Sequence, residues 1–586
     1  MSESQAKQCQ NCKTDFTIEP ADFGFYKKID VPPPTWRPQC RMIRRMLFRN
    51  ERKLFRVKEA FTGRDVVSLY PQEANFPIID DKEWFGQENW DPMDYGQEFD
   101  PARSFLAQLA ELNQKVPRCR QDAVNMVNSD YSANADGLRN CYLVFNASDN
   151  EDCLYGNAID NSKNCCDSSH IFKSEKCYDG FWLTSCHNAF FCNACTECAS
   201  IWFSKNCRGC TDCFGCVNLR NKSYCFFNEQ LTRDEYLKRL AELRLDTWSG
   251  VRAAAENARA FWRKFPIKNL QGMMNENVSG DFISYSKNVY QGYLLSQGQD
   301  LRYVQYSQAR PITDSMDVTV SGGTELEYEV VTSGWGATRL RFCWECWTGG
   351  QDFEYCMHCG GTALNLFGCV AIRNKQYCIL NKQYSKEEYF ALRKKIIEHM
   401  NTMPYVDKQG RVYKYGEFFP LEFSPYAYNQ TISPEHFPLS KEEALAFGAR
   451  WQDSNPTEHK MTMTFEELPD SIGDVQDDII KQVIQCAECK KAYRIIAPEL
   501  QFLRQMKIPL PRTCVDCRHD ARIAQRNKAI FYDQQCMCLS PVAGAYQNIA
   551  RHTHGDEQCS NQFKTSFAPE HKNIVYCESC YNKEMA

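Results

Sequence analysis

Several features that would assign this chain to a familiar class are missing from its sequence. No run of 18 apolar residues occurs, so we expect no membrane-spanning helix. The stretch from Met1 to Lys13 has no apolar core, so we expect no secretory signal. Only 10 histidines are present, and no Ser-His-Asp set, phosphate loop or dinucleotide fingerprint is visible. The sequence therefore predicts a cytoplasmic protein that is not an enzyme.

A strong net charge is also missing, whereas cysteine is abundant. The formal charge is −5 over 586 residues, which does not indicate a general polyanion binder. The 33 cysteines are an odd number, which fits complete disulfide pairing badly. In a reducing compartment, cysteines are metal ligands or small buried apolar groups before they are disulfides. The cysteines are therefore the residues from which function is argued.

The cysteines between residues 140 and 226 follow a fixed spacing. With Cys166 set aside, every gap between neighbours is a multiple of three, and the first four are 12 apart. These are Cys141, Cys153, Cys165, Cys177, Cys186, Cys192, Cys195, Cys198, Cys207, Cys210, Cys213, Cys216 and Cys225. A fixed period of this kind predicts a solenoid, because each coil stacks on the one before it.

The solenoid pattern occurs twice. The segment from Phe214 to Cys225 returns 153 residues later as Phe367 to Cys378, and each copy leads into a capped helix. In the second copy, Val289 and Leu301 stand in cysteine columns. A column that accepts Val or Leu is mainly an apolar packing position.

The fold class we predict is mixed α+β and multi-domain, with duplicated cysteine-lined β-solenoid blocks, each followed by helices and flanked by zinc ribbons. The expected parts are an N-terminal degenerate ribbon (1–63), an aromatic connector (64–127), the first block (128–230), a helical connector (231–279), the second block (280–383), a helix with an aromatic segment (384–452), an acidic linker (453–480), a zinc ribbon (481–535) and a second C-terminal zinc module (536–586).

The ribbon near the C-terminus carries the strongest metal signal. Two Cys-x2-Cys pairs, Cys486 with Cys489 and Cys514 with Cys517, place four thiolates within reach of one Zn²⁺. The N-terminal copy has Cys9, Cys12 and Cys40, but Arg37 replaces the fourth cysteine. Either a distant cysteine such as Cys119 completes that site, or the ribbon has lost its metal.

A further zinc is predicted in the last 50 residues. The first choice of ligands is Cys536, Cys538, Cys577 and Cys580, with His552, His554 and Cys559 as alternatives. Two or three structural zinc ions per chain are therefore expected.

Three interpretations compete for the solenoid cysteines. The first is packing. The second is zinc, at some of Cys192, Cys195, Cys198, Cys207, Cys210, Cys213, Cys216, Cys343, Cys346, Cys356 and Cys359, which have knuckle spacing. The third is an iron–sulfur cluster at Cys207, Cys210, Cys213 and Cys216. The last gap is two residues rather than the three of a ferredoxin run, and Val217 stands where proline would follow.

Basic residues follow both ribbons and suggest a nucleic-acid surface. Clustered arginines on one helix face are what phosphate contacts need. The candidates are Arg41, Arg45, Arg49, Arg52, Arg522 and Arg526. A solvated face paired with acidic residues is the competing interpretation.

The whole pattern resembles a family of cysteine-rich zinc-ribbon proteins common in candidate-phylum bacteria. The resemblance rests on Asp94-Tyr95-Gly96, on the Arg-Asn pair after each ribbon, on the repeated Phe-Gly-Cys-Val phrase, on Tyr415 to Pro420 and on Ile574 to Tyr581. Some relatives carry an automatic label as acyl-CoA transferases of the CaiB/BaiF type. The present sequence has no doubly wound α/β pattern, so the label does not transfer.

The function that we expect is a non-enzymatic zinc-binding scaffold or adaptor with a protein or RNA partner. The alternative is a redox or metal-storage protein that uses the cysteine columns. No membrane and no small-molecule substrate are indicated.

Overall fold

The computed structural model describes residues 3–307, 311–334, 336–346, 349–453, 460–539, 546–555, 557–571 and 573–585. Its centre is a β-solenoid of about 21 turns, with 12 helices among the described residues. The predicted solenoid is confirmed. No helix within these ranges is long and apolar enough to cross a bilayer.

Short parallel strands form the coils of the first block. Residue i pairs with residue i+12, so that Phe145 lies opposite Asn157 and Thr211 lies opposite Ser223. Pairing begins at Ala123, a few residues before the predicted boundary. The strands are Ala123–Val124, Ala133–Asp136, Phe145–Ser148, Asn157–Asp160, Ser169–Phe172, Phe181–Thr184, His187–Phe190, Ala199–Trp202, Thr211–Phe214 and Ser223–Phe226.

The three-residue spacing of the cysteines reflects backbone geometry. Every third residue from Asn140 to Phe227 has positive φ, for example Asn140 and Asp152 at 54°. Each coil of 12 residues therefore has four corners, and the residue after each corner points inward. Asn and Asp tolerate the left-handed region best, which explains the polar residues that precede many of the cysteines. These polar side chains also bond along the stack, as Asn140 Nδ2 does to Asp152 Oδ1 at 3.0 Å.

The second block keeps the parallel pairing but not the strict period. Leu301 pairs with Ser315, and Gln351 with Leu364, so some coils contain one or two extra residues. Its strands are Glu276–Ser284, Lys287–Ser296, Gly298–Arg302, Gln305–Ser307, Ile312–Met316, Thr324–Glu325, Thr338–Arg341, Gln351–Glu354, Leu364–Phe367 and Gln376–Ile379.

Each block ends in the same way. An antiparallel strand, Glu229–Gln230 or Lys382–Gln383, pairs with the last coil and closes its edge. A helix follows, opened by a reciprocal capping box at Thr232 and Glu235 or at Ser385 and Glu388. The predicted duplication therefore extends to the way in which each block stops.

The helices surround the solenoid. They are α1 (Pro20–Lys28), α2 (Pro38–Met46), α3 (Asp81–Gly86), α4 (Phe105–Lys115), α5 (Arg233–Glu242), α6 (Trp248–Trp262), α7 (Lys386–Thr402), α8 (Ser433–His436), α9 (Lys441–Phe447), α10 (Ala497–Met506), α11 (Val515–Ile523) and α12 (Glu578–Glu584). Two-stranded pairs outside the solenoid are Gln5–Gln8 with Asp15–Ile18, Phe55–Lys58 with Asp65–Ser68, Ile78–Ile79 with Arg118–Cys119, Ile267–Lys268 with Val575–Tyr576, Tyr405–Val406 with Val412–Tyr413, Ile484–Gln485 with Ala492–Tyr493, and Tyr532–Gln535 with Gln562–Thr565.

The predicted acidic linker (453–480) is packed structure from Leu468 onward. Residues 454–459 lie outside the described ranges, but Leu468, Ile472, Val475 and Ile479 are buried in a core with the C-terminal ribbon. These apolar residues recur every three to four positions, which the acidic composition of the segment hides. This part of the segment therefore packs against the C-terminal ribbon.

Candidate metal centres

The C-terminal ribbon brings its four predicted cysteines together. A hairpin carries Cys486 and Cys489, while Cys514 caps α11 and Cys517 lies on its first turn. The four sulfurs lie within 4.8 Å of one another, with Cys486–Cys517 at 3.8 Å and Cys489–Cys514 at 3.7 Å. A tetrahedral ion with Zn–S bonds of about 2.3 Å would separate its sulfurs by about 3.8 Å. The site can hold a metal ion of that size.

The local backbone favours thiolate at this ribbon. The Cys514 N–H donates to Cys486 Sγ at 3.2 Å. Burial alone would raise the pKa of Cys486, but backbone N–H donors, Cys514 first, bring that pKa down to about 7. Since metals bind the deprotonated sulfur, these N–H groups prepare the site for an ion.

The N-terminal ribbon keeps the same backbone without a fourth sulfur. Cys9, Cys12 and Cys40 lie mutually within 4.8 Å. The Arg37 N–H donates to Cys9 Sγ at 3.3 Å, just as Cys514 donates in the other ribbon. Burial works against the charge of Arg37, but the Cys40 thiol beside its guanidinium raises the Arg37 pKa. A guanidinium therefore lies where the fourth ligand would be. Cys119 does not complete the group, because its sulfur is not among those that lie within 4.8 Å of one another.

The last module (536–586) contains more candidate ligand residues than one metal ion needs. Cys536 and Cys538 follow one strand, and Cys577 and Cys580 begin α12. Four sulfurs lie mutually within 4.8 Å, and so does a second set that includes both histidines. The first set is Cys536, Cys538, Cys559 and Cys580, and the second is Cys538, His552, His554 and Cys580. The first set thus contains Cys559 in place of the predicted Cys577, whose sulfur lies 4.0 Å from that of Cys559.

The solenoid cysteines point into the coils and pack there. All 13 on the three-residue spacing are buried. Cys165 is typical, because its sulfur donates to the carbonyls of Lys163 at 3.4 Å and Ser174 at 3.6 Å. Burial raises the pKa of Cys165 and Cys356 well above the usual thiol value. Cys165 and Cys356 are therefore protonated thiols, and each already has a hydrogen-bond acceptor.

No group of three or more solenoid sulfurs within the described residues comes mutually within 4.8 Å. The run from Cys207 to Cys216 explains why, since its four cysteines occupy the four successive sides of one coil. The candidate zinc sets at Cys192 to Cys216 and at Cys343 to Cys359 are therefore not assembled as metal sites. Knuckle spacing arises here from the corners of the coil.

Five of the six arginines proposed as phosphate contacts are buried, namely Arg41, Arg45, Arg49, Arg522 and Arg526. Arg41 and Arg45 share the carboxylate of Asp317 in the second block, at 2.8 and 3.2 Å. Arg522 lies 3.3 Å from Asp167 in the first block. The predicted exposed basic helix face is therefore wrong for these five residues. Arg41, Arg45 and Arg522 pair with acidic side chains of the solenoid, whereas Arg49 pairs with Glu51 and Arg526 with Glu435.

Arg52 is the sixth arginine, and it too has a partner. Its side chain is 14 % exposed and lies 3.3 Å from Asp516 of α11. That ion pair joins the end of the N-terminal ribbon to the C-terminal one. The acidic partners were missed from the sequence, although the matched positions Arg41/Arg518 and Arg45/Arg522 in the two ribbons were a signal of a shared structural role.

Comparisons with known proteins gave no further constraint. No protein-family model matches the sequence, and no curated protein is significantly similar to it.

Proposed function

We propose that this chain is a cytosolic, zinc-binding scaffold without catalytic activity that presents its solenoid surface to a protein partner. One observation carries the proposal: each ribbon inserts the arginines of its helix between acidic residues of a solenoid block. The N-terminal ribbon uses Asp317 and Glu329, and the C-terminal ribbon uses Asp167. A metal that holds a ribbon together thereby also holds the solenoid in place. The resemblance to cysteine-rich zinc-ribbon proteins agrees with such a role.

A protein is favoured over RNA as the partner. The arginines that would have carried phosphate contacts are buried in ion pairs, and the net charge is −5. The exposed side of the first block instead offers alternating charges such as Glu151 and Lys163, whose side chains meet at 2.8 Å. Salt-dependent binding of a single-stranded RNA by the purified chain, measured by fluorescence anisotropy, would count against the protein partner.

The alternative of a redox or metal-storage protein has weaker support. Storage needs thiolates that can reach ions, whereas the solenoid cysteines are buried and burial raises the pKa of members such as Cys165 and Cys356. Metal analysis of protein purified without oxygen separates the two. The scaffold predicts two or three zinc ions per chain and no iron. Many more ions per chain, or a brown absorbing species, would replace the scaffold with the storage function.

The structural role of zinc has its own test. Removing the metal with a chelator should raise hydrogen exchange in α11 and also in the coils around Asp167, because the docked arginines lose their support. Coils that keep their protection while α11 loses it would contradict the coupling.

A further inference from the structure

The ligand groups of the last module overlap, and the overlap decides how many ions fit. Cys538 and Cys580 belong to both groups of mutually close ligand atoms. Cys536 and Cys559 belong only to the first group, and His552 and His554 only to the second. Two tetrahedra that share an edge need two shared and four unshared ligands. The six residues supply that number in that arrangement.

The distances in the histidine group fit a tetrahedral ion. His554 Nε2 lies 3.4 Å from the sulfurs of both Cys538 and Cys580, and 3.3 Å from His552 Nδ1. With bonds of about 2.3 Å to sulfur and about 2.05 Å to nitrogen, a tetrahedral zinc separates S and N by about 3.5 Å and N and N by about 3.3 Å. The three observed separations match these values.

The distances in the sulfur group fit a second ion. Cys580 Sγ and Cys559 Sγ are 3.8 Å apart, the separation expected for two thiolates on one zinc. The Cys577 N–H donates to Cys536 Sγ at 3.2 Å, which favours the thiolate. Cys577 Sγ accepts a hydrogen bond from the Asn561 amide at 3.3 Å and lies beside this group as a fifth sulfur.

The carboxylate of Glu584 orients His552, one of the two histidines that would bind the second ion. His552 Nε2 lies 2.9 Å from Glu584 Oε1, and Glu584 is held in turn by the N–H groups of Ile549 and Ala550 at 2.9 and 3.2 Å. With its Nε2 proton donated to Glu584, the ring presents the lone pair of Nδ1 to the site. Histidines that bind metal are commonly oriented by a carboxylate in this way.

Charge balance favours two ions over one at these ligands. The four sulfurs of the site are at most 4 % exposed. A single Zn²⁺ on four thiolates would leave two negative charges in this buried position, which is costly. Two Zn²⁺ ions on four thiolates and two neutral imidazoles sum to zero.

From this geometry we propose that the last module holds a binuclear zinc centre, with Cys538 and Cys580 bridging one ion on Cys536 and Cys559 to another on His552 and His554. The centre goes beyond the scaffold function, which needs only that the module bind metal.

The decisive experiment counts the ions lost from the full chain. We expect Cys538→Ser with Cys580→Ser to remove two zinc ions per chain, measured by elemental mass spectrometry of protein purified without oxygen. The matched control is Cys489→Ser with Cys514→Ser in the ribbon, which should remove one. The loss is two even if the first variant unfolds the module. A loss of one ion from it would overturn the binuclear centre and leave the scaffold function intact.

A second measurement tests the bridge directly. In protein loaded with ¹¹³Cd, two resonances should show cadmium–cadmium coupling through the shared sulfurs. The ribbon resonance should be uncoupled, and it should report that the rest of the chain is folded. His554→Cys keeps a ligand, so it should retain both coupled resonances and shift one of them toward a thiolate-richer position. Uncoupled resonances in the wild-type chain would overturn the bridge.

Discussion

A buried arginine of α2 that lies between the ribbon and the solenoid gives the sharpest test of the docking. Arg44 is completely buried and makes two 2.7 Å bonds to Glu329 of the second block. It also bonds to Glu417 at 3.2 Å and lies over the ring of Trp36 at 4.4 Å. Substituting methionine keeps an apolar chain of similar length against Trp36 but removes the charge.

The expected cost follows from the carboxylates left behind. Removing one partner of a buried ion pair costs about 3–5 kcal/mol, because the remaining charge has no compensation. At about 1.4 kcal/mol per tenfold change, hydrogen-exchange protection of Pro38–Met46 should fall roughly 100- to 5,000-fold in Arg44→Met. Exchange monitored by mass spectrometry reads this local opening without assuming that the whole chain unfolds in one step.

An exposed pair on a helix serves as the control. Arg252 and Glu256 are 3.9 Å apart and each 70 % exposed, so Arg252→Met should leave protection unchanged. Arg44→Lys should give an intermediate loss, since one ammonium replaces the two guanidinium nitrogens that bond separately to Glu329 and Glu417. The docking would be refuted if Arg44→Met left the protection of α2 as high as the control does.

Three further outcomes are expected. Burial raises the pKa of Asp81 to about 7 against the opposing charge of Arg120, so the folded chain holds a proton that the unfolded chain releases above pH 4. Stability should therefore fall as pH rises from 4 to 7, by at most about 4 kcal/mol. Asp81→Asn should lack this pH dependence, because its side-chain oxygen can still accept the bonds from the backbone N–H groups but does not titrate. Hydrogen exchange of the Ile78–Ile79 strand measures the stability. The same fall with pH in Asp81→Asn would show that Asp81 is not its cause. Arg37→Cys should add one zinc ion per chain by elemental analysis, whereas Arg37→Ser should add none; equal metal content in the two variants would show that the N-terminal ribbon cannot be completed. Cys165→Ala should cost about 1–2 kcal/mol in urea unfolding and leave the zinc content unchanged, because the sulfur fills space in the coil, and a lost ion would instead make it a ligand.

The solenoid could be predicted because the same residue types recur at the period of the coil. A left-handed corner every three residues selects Asn and Asp, and a narrow interior selects small apolar side chains, so both columns are visible in the sequence. Val289 and Leu301 already indicated packing, and the buried thiols agree. The irregular coils of the second block were less visible, because an extra residue at a corner breaks the period without breaking the pairing.

The candidate metal ligands could be predicted only where their spacing in the sequence is local. Cys486 and Cys489 lie on one tight turn, so their separation in sequence fixes their separation in space. Cys559 and His554 come from loops whose paths depend on the surrounding strands, and no spacing rule selects them. The prediction that the arginines contact phosphate was wrong for a similar reason, because their partners are distant in the sequence. Asp317 and Arg45, for example, are 272 residues apart. A basic helix that pairs with a distant carboxylate has the same composition as one that contacts phosphate.

The corner at every third residue also determines how this protein can change in length. One coil of 12 residues advances the stack by about 4.8 Å, the distance between neighbouring strands. Gain or loss of a whole coil would keep every inward residue inward while moving the attached parts by that fixed step. A change of one or two residues must instead be absorbed at a corner, as near Ser315 in the second block. The length of the solenoid can therefore change only in whole coils. The distance between the elements docked on it changes in the same fixed steps.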